Sequence, residues 1–494
     1  MTILGRILKM NRKYVILIPL ILATFIHLIN PVGFPDIFFD EGIYMRRAMN
    51  MIETGNPQEG YLYDHPYFGQ IVLAGILQIA NYPPDTSTDP ASLQNLYLVP
   101  RIFMGIIAVV STLLVYQIAK EKFGRNAALL SSLLFAVMPY TWIFGRILLD
   151  SILLPFLLAS ILFAIRFKHG GNVWFVPISG IMLGLAIFTK VPVFVFIPLV
   201  IWLVYQKRKK FSDMLIWIVP VLLIPLLWPA NSIFLDQFDL WVRDVLWQSQ
   251  RSNSVFEIIG SFLIIDPVLF VIGIAGIIYA AVTKNKFVLF WFVPFVSFLS
   301  LIGFKQYFHW IPIIPIMCIA ASVWLLEIPK KIKYLQSKIH YVIIGAILIF
   351  GFSSTILIIT NDLSYNQFEA LSYVIENHDG QSTILASPVY TWILYDVFDM
   401  DDIPRDYAMI LFEPVKTRGI TVVADSHFML DRNRGTELVK AYNDTHSVQY
   451  FQGKAKDFDT RIYPYTNMRV NHEAFSIDIR AGDWNIAGNQ KNQP

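Results

Sequence analysis

Charge is scarce in this chain: of 494 residues, 15% are Asp, Glu, Lys or Arg, while 55% are hydrophobic. Soluble globular domains carry about 25% charged residues, so this composition excludes a soluble fold and points to a polytopic membrane protein. Cysteine is scarcer still. Cys318 stands alone, which excludes an internal disulfide and a thiolate metal cluster; the residue itself reads as a small apolar filler inside a span. No Asp-x-Asp pair occurs in the first long loop, and no basic stripe marks a soluble portion, which removes nucleic-acid binding.

What is present is long apolar runs. A bilayer core takes about 20 apolar residues per helix, and eleven candidates meet or approach that length: 14–30, 100–119, 127–144, 149–165, 173–188, 192–205, 214–228, 259–282, 287–303, 310–327 and 341–360. The first follows Arg6, Lys9, Arg12 and Lys13 and reads as a retained signal anchor. Segment 67–82 is apolar but short, and it is interrupted by Gln70, Gln78 and Asn81. Charge decides its status. With eleven spans and a cytoplasmic N-terminus, 19 basic residues of the first 360 fall in inner loops and 8 in outer ones, as the positive-inside rule requires. A twelfth span at 67–82 would invert the later loops, so this segment is expected to lie in the outer interface with its glutamines toward water.

The expected organisation follows. Residues 1–360 form a membrane domain with a large first outer loop at 31–99, and residues 361–494 form a small external domain. That last portion holds 12 Lys and Arg against 19 Asp and Glu, a net −7, whereas the first 360 residues carry +10. Helical stretches near 366–376 and 435–442, with β-branched runs at 382–386, 420–424, 447–451 and 474–479, predict a compact α/β fold for it. The expected location is the plasma membrane.

Ionisable groups at membrane depth are costly and face protein or water, so those near the outer span ends are candidate functional residues. They are Asp40 and Glu41, Asp64 and His65 before Pro66, Arg101, Arg146, Asp150, Lys190, Arg243, Arg251, Lys305 and His309. Such a mixture suits transfer of a sugar from a polyprenyl phosphate. The departing phosphate needs cations, and the incoming hydroxyl needs a carboxylate to take its proton.

The order Asp40-Glu41 with Tyr44, His65-Pro66, Arg146 to Asp150, Thr189-Lys190 and Lys305 to Pro312 resembles the GT-C membrane glycosyltransferases, in particular the protein O-mannosyltransferase and lipid A aminoarabinose transferase group. The likeness covers most of residues 14–328. It implies an inverting transferase that uses a polyprenyl-phosphate sugar at the outer face, with a lipid, glycan or protein as acceptor. Asp40 matches the family's base and Glu41 its acidic companion; Tyr44 lies near the donor. Lys190 and Lys305 match residues that approach the donor phosphate, Asp150 matches an acid at the fourth span, and Arg146 is a candidate to help hold that phosphate. Two departures stand out. Asp64-His65-Pro66-Tyr67 replaces a Glu-Lys-Pro-Pro motif, so His65 stands where a lysine is expected, and His309 stands where a tyrosine is expected. No metal is obligatory in this chemistry, although a divalent ion could assist; Asp64 is the one candidate ligand and, with His65, falls short of a site. A rival class is a flippase for lipid-linked sugars, which should display paired halves and polar groups near the midplane.

Overall fold

The computed structural model describes residues 14–57, 62–168, 172–208, 210–250, 254–303, 305–331, 339–400, 403–412, 415, 417–453 and 476–484. Arg6 to Lys13, Arg251 and the first residues of the 474–479 run lie outside these. The chain forms two compact units, one of 1–29, 58–71 and 103–358, the other of 30–57, 72–102 and 359–494. This differs from a division at residue 360: two stretches of the first outer loop pack with the C-terminal residues.

The first unit is helical. Across the described residues, five helices are long and apolar enough to cross a membrane: Pro90–Phe123, Leu149–Phe167, Phe211–Phe234, Tyr307–Ile328 and Ile339–Ile359. Two bent pairs and five shorter apolar helices accompany them, and each of the eleven sequence candidates coincides with a helix or a bent pair. Candidates 127–144 and 259–282 are not straight spans. The first bends by 69° between Arg125–Val137 and Pro139–Gly145, the second by 115° between Ile258–Ile265 and Pro267–Val282. Both breaks have the same cause, a proline at the first position of the new helix, where its missing N–H costs nothing. At the second break Asp266 also accepts the Leu269 N–H at 2.8 Å.

Between apolar helices hydrophobicity gives no preference over lipid, so small and hydroxylated residues supply the contact. Ser160 on Leu149–Lys168 and Ser179 on Phe175–Thr189 each donate to the other's backbone carbonyl at 2.8 Å, and Trp217 Nε1 donates to Ser179 Oγ at 3.2 Å. Leu215, Val219, Leu222, Val342 and Ile349 remain exposed, an apolar surface of the kind lipid covers.

Segment 67–82 contains the helix Phe68–Ile79. Gln78 is exposed, but Gln70 is buried, which corrects the expectation that both glutamines face water.

The second unit is α/β, as the sequence pattern predicts. Strands β1 (Ser382–Leu385), β2 (Gly419–Ala424), β3 (His446–Phe451) and β4 (Ile477–Asp483) form one sheet in the order β1-β2-β4-β3. β1 and β2 are parallel, which demands a crossover; Pro388–Asp396 and Tyr407–Leu411 supply it. The other pairs are antiparallel. Leu385, Tyr407, Val422, Phe428, Leu438 and Trp484 fill the core beside the sheet. Asp406 caps the Tyr407–Leu411 turn by accepting the Ala408 N–H at 2.9 Å, and burial raises its carboxyl to about 6 despite the opposing Arg46 charge.

Candidate active site

Asp40 and Glu41 sit in the first turn of the helix Phe39–Thr54, where carboxylates are favoured by the helix dipole. Their environments differ. Asp40 is half-buried, whereas Glu41 is fully buried. Glu41 Oε1 accepts the Phe38 N–H at 3.0 Å, which fixes the start of the helix. Arg101 meets the same carboxylate through two bonds, Nε to Oε2 at 3.0 Å and Nη2 to Oε1 at 2.8 Å. Its remaining hydrogens go to the carbonyls of Pro31 at 3.2 Å, Pro35 at 2.6 Å and Asp36 at 3.1 Å.

Gln367 clamps the next residue. Its side-chain carbonyl accepts the Ile37 N–H at 2.7 Å and its amide donates to the Ile37 carbonyl at 3.0 Å. Side chains therefore hold the backbone at residues 31, 35, 36, 37 and 38, and Asp40 is carried on the turn that follows. One residue beyond Glu41, Gly42 lies against the backbone of Pro388 and Val389, so closely that a Cβ would overlap both. Tyr44 is buried on the same helix. Arg101 stood in the sequence among the charged residues near the outer span ends but without a partner; Gln367 carries no local signal at all.

The remaining candidates belong to the first unit, and most of them come together there. Lys190, just past the end of Phe175–Thr189, reaches Asp150 in the first turn of Leu149–Lys168, with Nζ 2.5 Å from Oδ2 and both side chains 5% exposed. The same ammonium lies 5.0 Å from the centre of the Phe308 ring. Phe308 packs edge-on to His309 at 4.9 Å and to Tyr307 at 5.4 Å, and Tyr307 lies 6.1 Å from Trp142. Arg146 stacks over that Trp142 ring at 5.3 Å. Arg146 is 1% exposed, so it does not snorkel to an interface. Lys305, three residues before Phe308 in the chain, is buried; its Nζ donates to the Gly303 carbonyl at 3.0 Å, and His309 Nδ1 accepts the Gln306 N–H at 3.1 Å.

Asp64 and His65 are both half-buried. A few residues on, Gly69 is pressed against Leu149 and Thr189, the immediate neighbours of Asp150 and Lys190; a Cβ there would come 3.1 Å from the Thr189 methyl. Tyr67 packs edge-on to Phe188 at 4.8 Å. Asp150, Lys190, His309 and Arg146 are thus linked through the rings of Phe308, Tyr307 and Trp142. Among the described residues no group of three His, Cys, Asp or Glu is placed to hold a metal ion.

This architecture is the GT-C fold, as the resemblance in the sequence implies. Residues 94–232 match the family model of dolichyl-phosphate-mannose-protein mannosyltransferases. Two solved structures share the fold. The Archaeoglobus fulgidus oligosaccharyltransferase aligns with a TM-score of 0.58 and 13% identity over 89% of this chain and 72% of its own. ArnT from Cupriavidus metallidurans, solved with undecaprenyl phosphate, aligns with a TM-score of 0.57 and 14% identity over 95% of this chain and 98% of its own. An uncharacterized protein of Aquifex aeolicus is 35% identical over 116 residues, which is 23% of this chain and 26% of that relative's length.

Proposed function

We propose that this protein is an integral membrane glycosyltransferase that moves a sugar from a polyprenyl-phosphate donor to a hydroxyl or amine of a lipid, glycan or protein acceptor at the outer membrane face. The observation that carries the reading is the buried Lys190–Asp150 pair, flanked by Arg146, Lys305 and His309, at the ends of apolar helices. Cations confined there, close to where a lipid headgroup lies, suit a phosphate. The fold supports it too: two proteins that share it, ArnT and the Archaeoglobus fulgidus oligosaccharyltransferase, were solved with undecaprenyl phosphate and with a dolichol-phosphate.

The reaction is a single displacement. The acceptor oxygen or nitrogen forms a bond to the sugar's anomeric carbon from the face opposite the phosphate, the carbon–oxygen bond to phosphate breaks, and the configuration inverts. The acceptor proton passes to the Asp40 carboxylate. The donor is a phosphodiester with one negative charge and leaves as a monoester with two, so the charge that develops is met by Lys190, Lys305, Arg146 and His65. Asp150 holds the Lys190 ammonium in place, and Tyr44 and His309 border the donor. Glu41, already engaged by Arg101, fixes the turn that presents Asp40.

The test uses purified protein in liposomes with polyprenyl-phosphate sugars labelled in the sugar. Loss of the label from the lipid, with free polyprenyl phosphate as co-product, is the expected outcome for at least one sugar. Movement of intact labelled lipid between leaflets, with no cleavage of any donor, would make the protein a flippase instead.

A further inference from the structure

The segment 62–67, which carries Asp64 and His65, has no regular secondary structure, so its shape must be imposed by its neighbours. The backbone N–H of Tyr63 donates to Asp244 Oδ2 at 2.7 Å. The Tyr63 hydroxyl donates to Gln237 Oε1 at 2.5 Å, and the Tyr67 hydroxyl to the Leu227 carbonyl at 3.1 Å. Three bonds bracket the two candidate residues, and all three end on the stretch from Leu227 to the helix Phe238–Gln250. Asp244 is the charged member. Its side chain is 4% exposed, and its second oxygen is engaged at 2.9 Å by Arg243, whose own side chain is 64% exposed. A carboxylate buried to this degree is costly unless fully bonded; here one oxygen is met by Arg243, and the other is spent on a backbone N–H next to Asp64.

We infer that Asp244 is a positioning residue for the donor's phosphate, acting through His65 by fixing the turn on which His65 stands. This rests on the proposed reading of His65 as a phosphate contact. With Asp244 truncated, the Tyr63 N–H is left buried without an acceptor, and the turn must move to rehydrate it.

The experiment measures binding of undecaprenyl phosphate to the full chain in detergent, followed by tryptophan fluorescence, for the wild type, His65→Ala, Asp244→Ala, Asp244→Asn and the double variant His65→Ala with Asp244→Ala. Hydrogen exchange of the peptide covering residues 62–68 is read on the same samples. Asp244→Ala is expected to weaken binding about tenfold and to speed exchange, while Asp244→Asn, which keeps an accepting oxygen, stays within about threefold of wild type. The double variant should bind no more weakly than His65→Ala alone, because both changes disable one element. Where Asp244→Ala does not fold, Tyr63→Phe removes the Gln237 bond from the same bracket and should speed exchange and weaken binding. Wild-type affinity in Asp244→Ala, or losses that multiply in the double variant, would overturn the inference while leaving the proposed function intact. Wild-type affinity in both His65→Ala and Lys190→Ala would instead bring down the proposed phosphate site.

Discussion

Arg101 and Glu41, separated by 60 positions, form a bidentate pair with both side chains 0% exposed. An isolated charge in such a place would cost several kcal/mol; the pair persists because every guanidinium hydrogen and both carboxylate oxygens are bonded. The bond set reaches the carbonyls of 31, 35 and 36, so this one arginine joins a helix start to the loop preceding Asp40. It is a brace for the turn that carries Asp40.

Removing either partner leaves the other buried and uncompensated. Arg101→Ala or Glu41→Ala is expected to cost roughly 3–5 kcal/mol, seen as a large fall in the thermal unfolding midpoint of the purified protein. Arg101→Lys should recover little of it, because an ammonium cannot reproduce the planar fork. A variant Arg101→Lys with wild-type stability and turnover would show the brace to be dispensable.

Lys190 is expected to act on the donor rather than the acceptor. Lys190→Ala should lower kcat/KM for the polyprenyl-phosphate sugar by roughly a hundredfold or more with little change in acceptor KM. Asp150→Ala leaves the ammonium buried without its counter-ion, so it should reduce both activity and stability. Equal effects on donor and acceptor parameters in steady-state kinetics would contradict this assignment.

Asp406 makes the stability of the second unit depend on pH. Its carboxyl, raised to about 6 chiefly by burial, binds its proton more tightly in the folded chain than in the unfolded one. The folded state is therefore favoured by this group below the ordinary carboxylate value, and the benefit is lost as pH rises through about 6. Asp406→Asn, which keeps an oxygen for the Ala408 N–H, should be more stable relative to wild type at pH 8 than at pH 5. Parallel thermal unfolding at the two pH values checks the sign; a stability difference that does not change, or that reverses, refutes it.

If Lys190, Lys305 and Arg146 neutralise the leaving phosphate, no divalent ion has to do so. Dialysis against EDTA should then leave more than about half of the activity, measured as release of polyprenyl phosphate. Loss of activity restored by a divalent cation would transfer that role to a metal.

Much of this fold is legible in the sequence because its elements are written locally. Apolar length alone locates the apolar helices, and β-branched runs near 382, 420 and 447 coincide with β1, β2 and β3. The sharp bend at Asp266-Pro267 was readable as well, since an acid followed by proline within an apolar run is a helix start, but length counting passed over it. Position at a span end marked Asp150 and Lys190 individually; their pairing across forty residues is a product of helix packing that no local pattern encodes. Arg101 and Gln367 are harder. Each acts on a backbone segment far away in the chain, 66 residues for Arg101 on Pro35 and 330 for Gln367 on Ile37, and a buried polar side chain among apolar neighbours does not announce its partner. Gln70 misled for the converse reason: a glutamine in an apolar helix reads as a wet face, yet here it is buried.

The most direct measurement compares wild-type protein with Asp40→Asn, reconstituted at equal density and equal unfolding midpoint, for release of polyprenyl phosphate from labelled polyprenyl-phosphate sugars in the presence of acceptor. Asparagine keeps the shape of the turn but cannot accept the acceptor's proton, so turnover should fall by about 10²–10⁴ while donor affinity stays near wild type. Turnover in Asp40→Asn within a few-fold of wild type would show that another group takes the proton and that residue 40 is not the base.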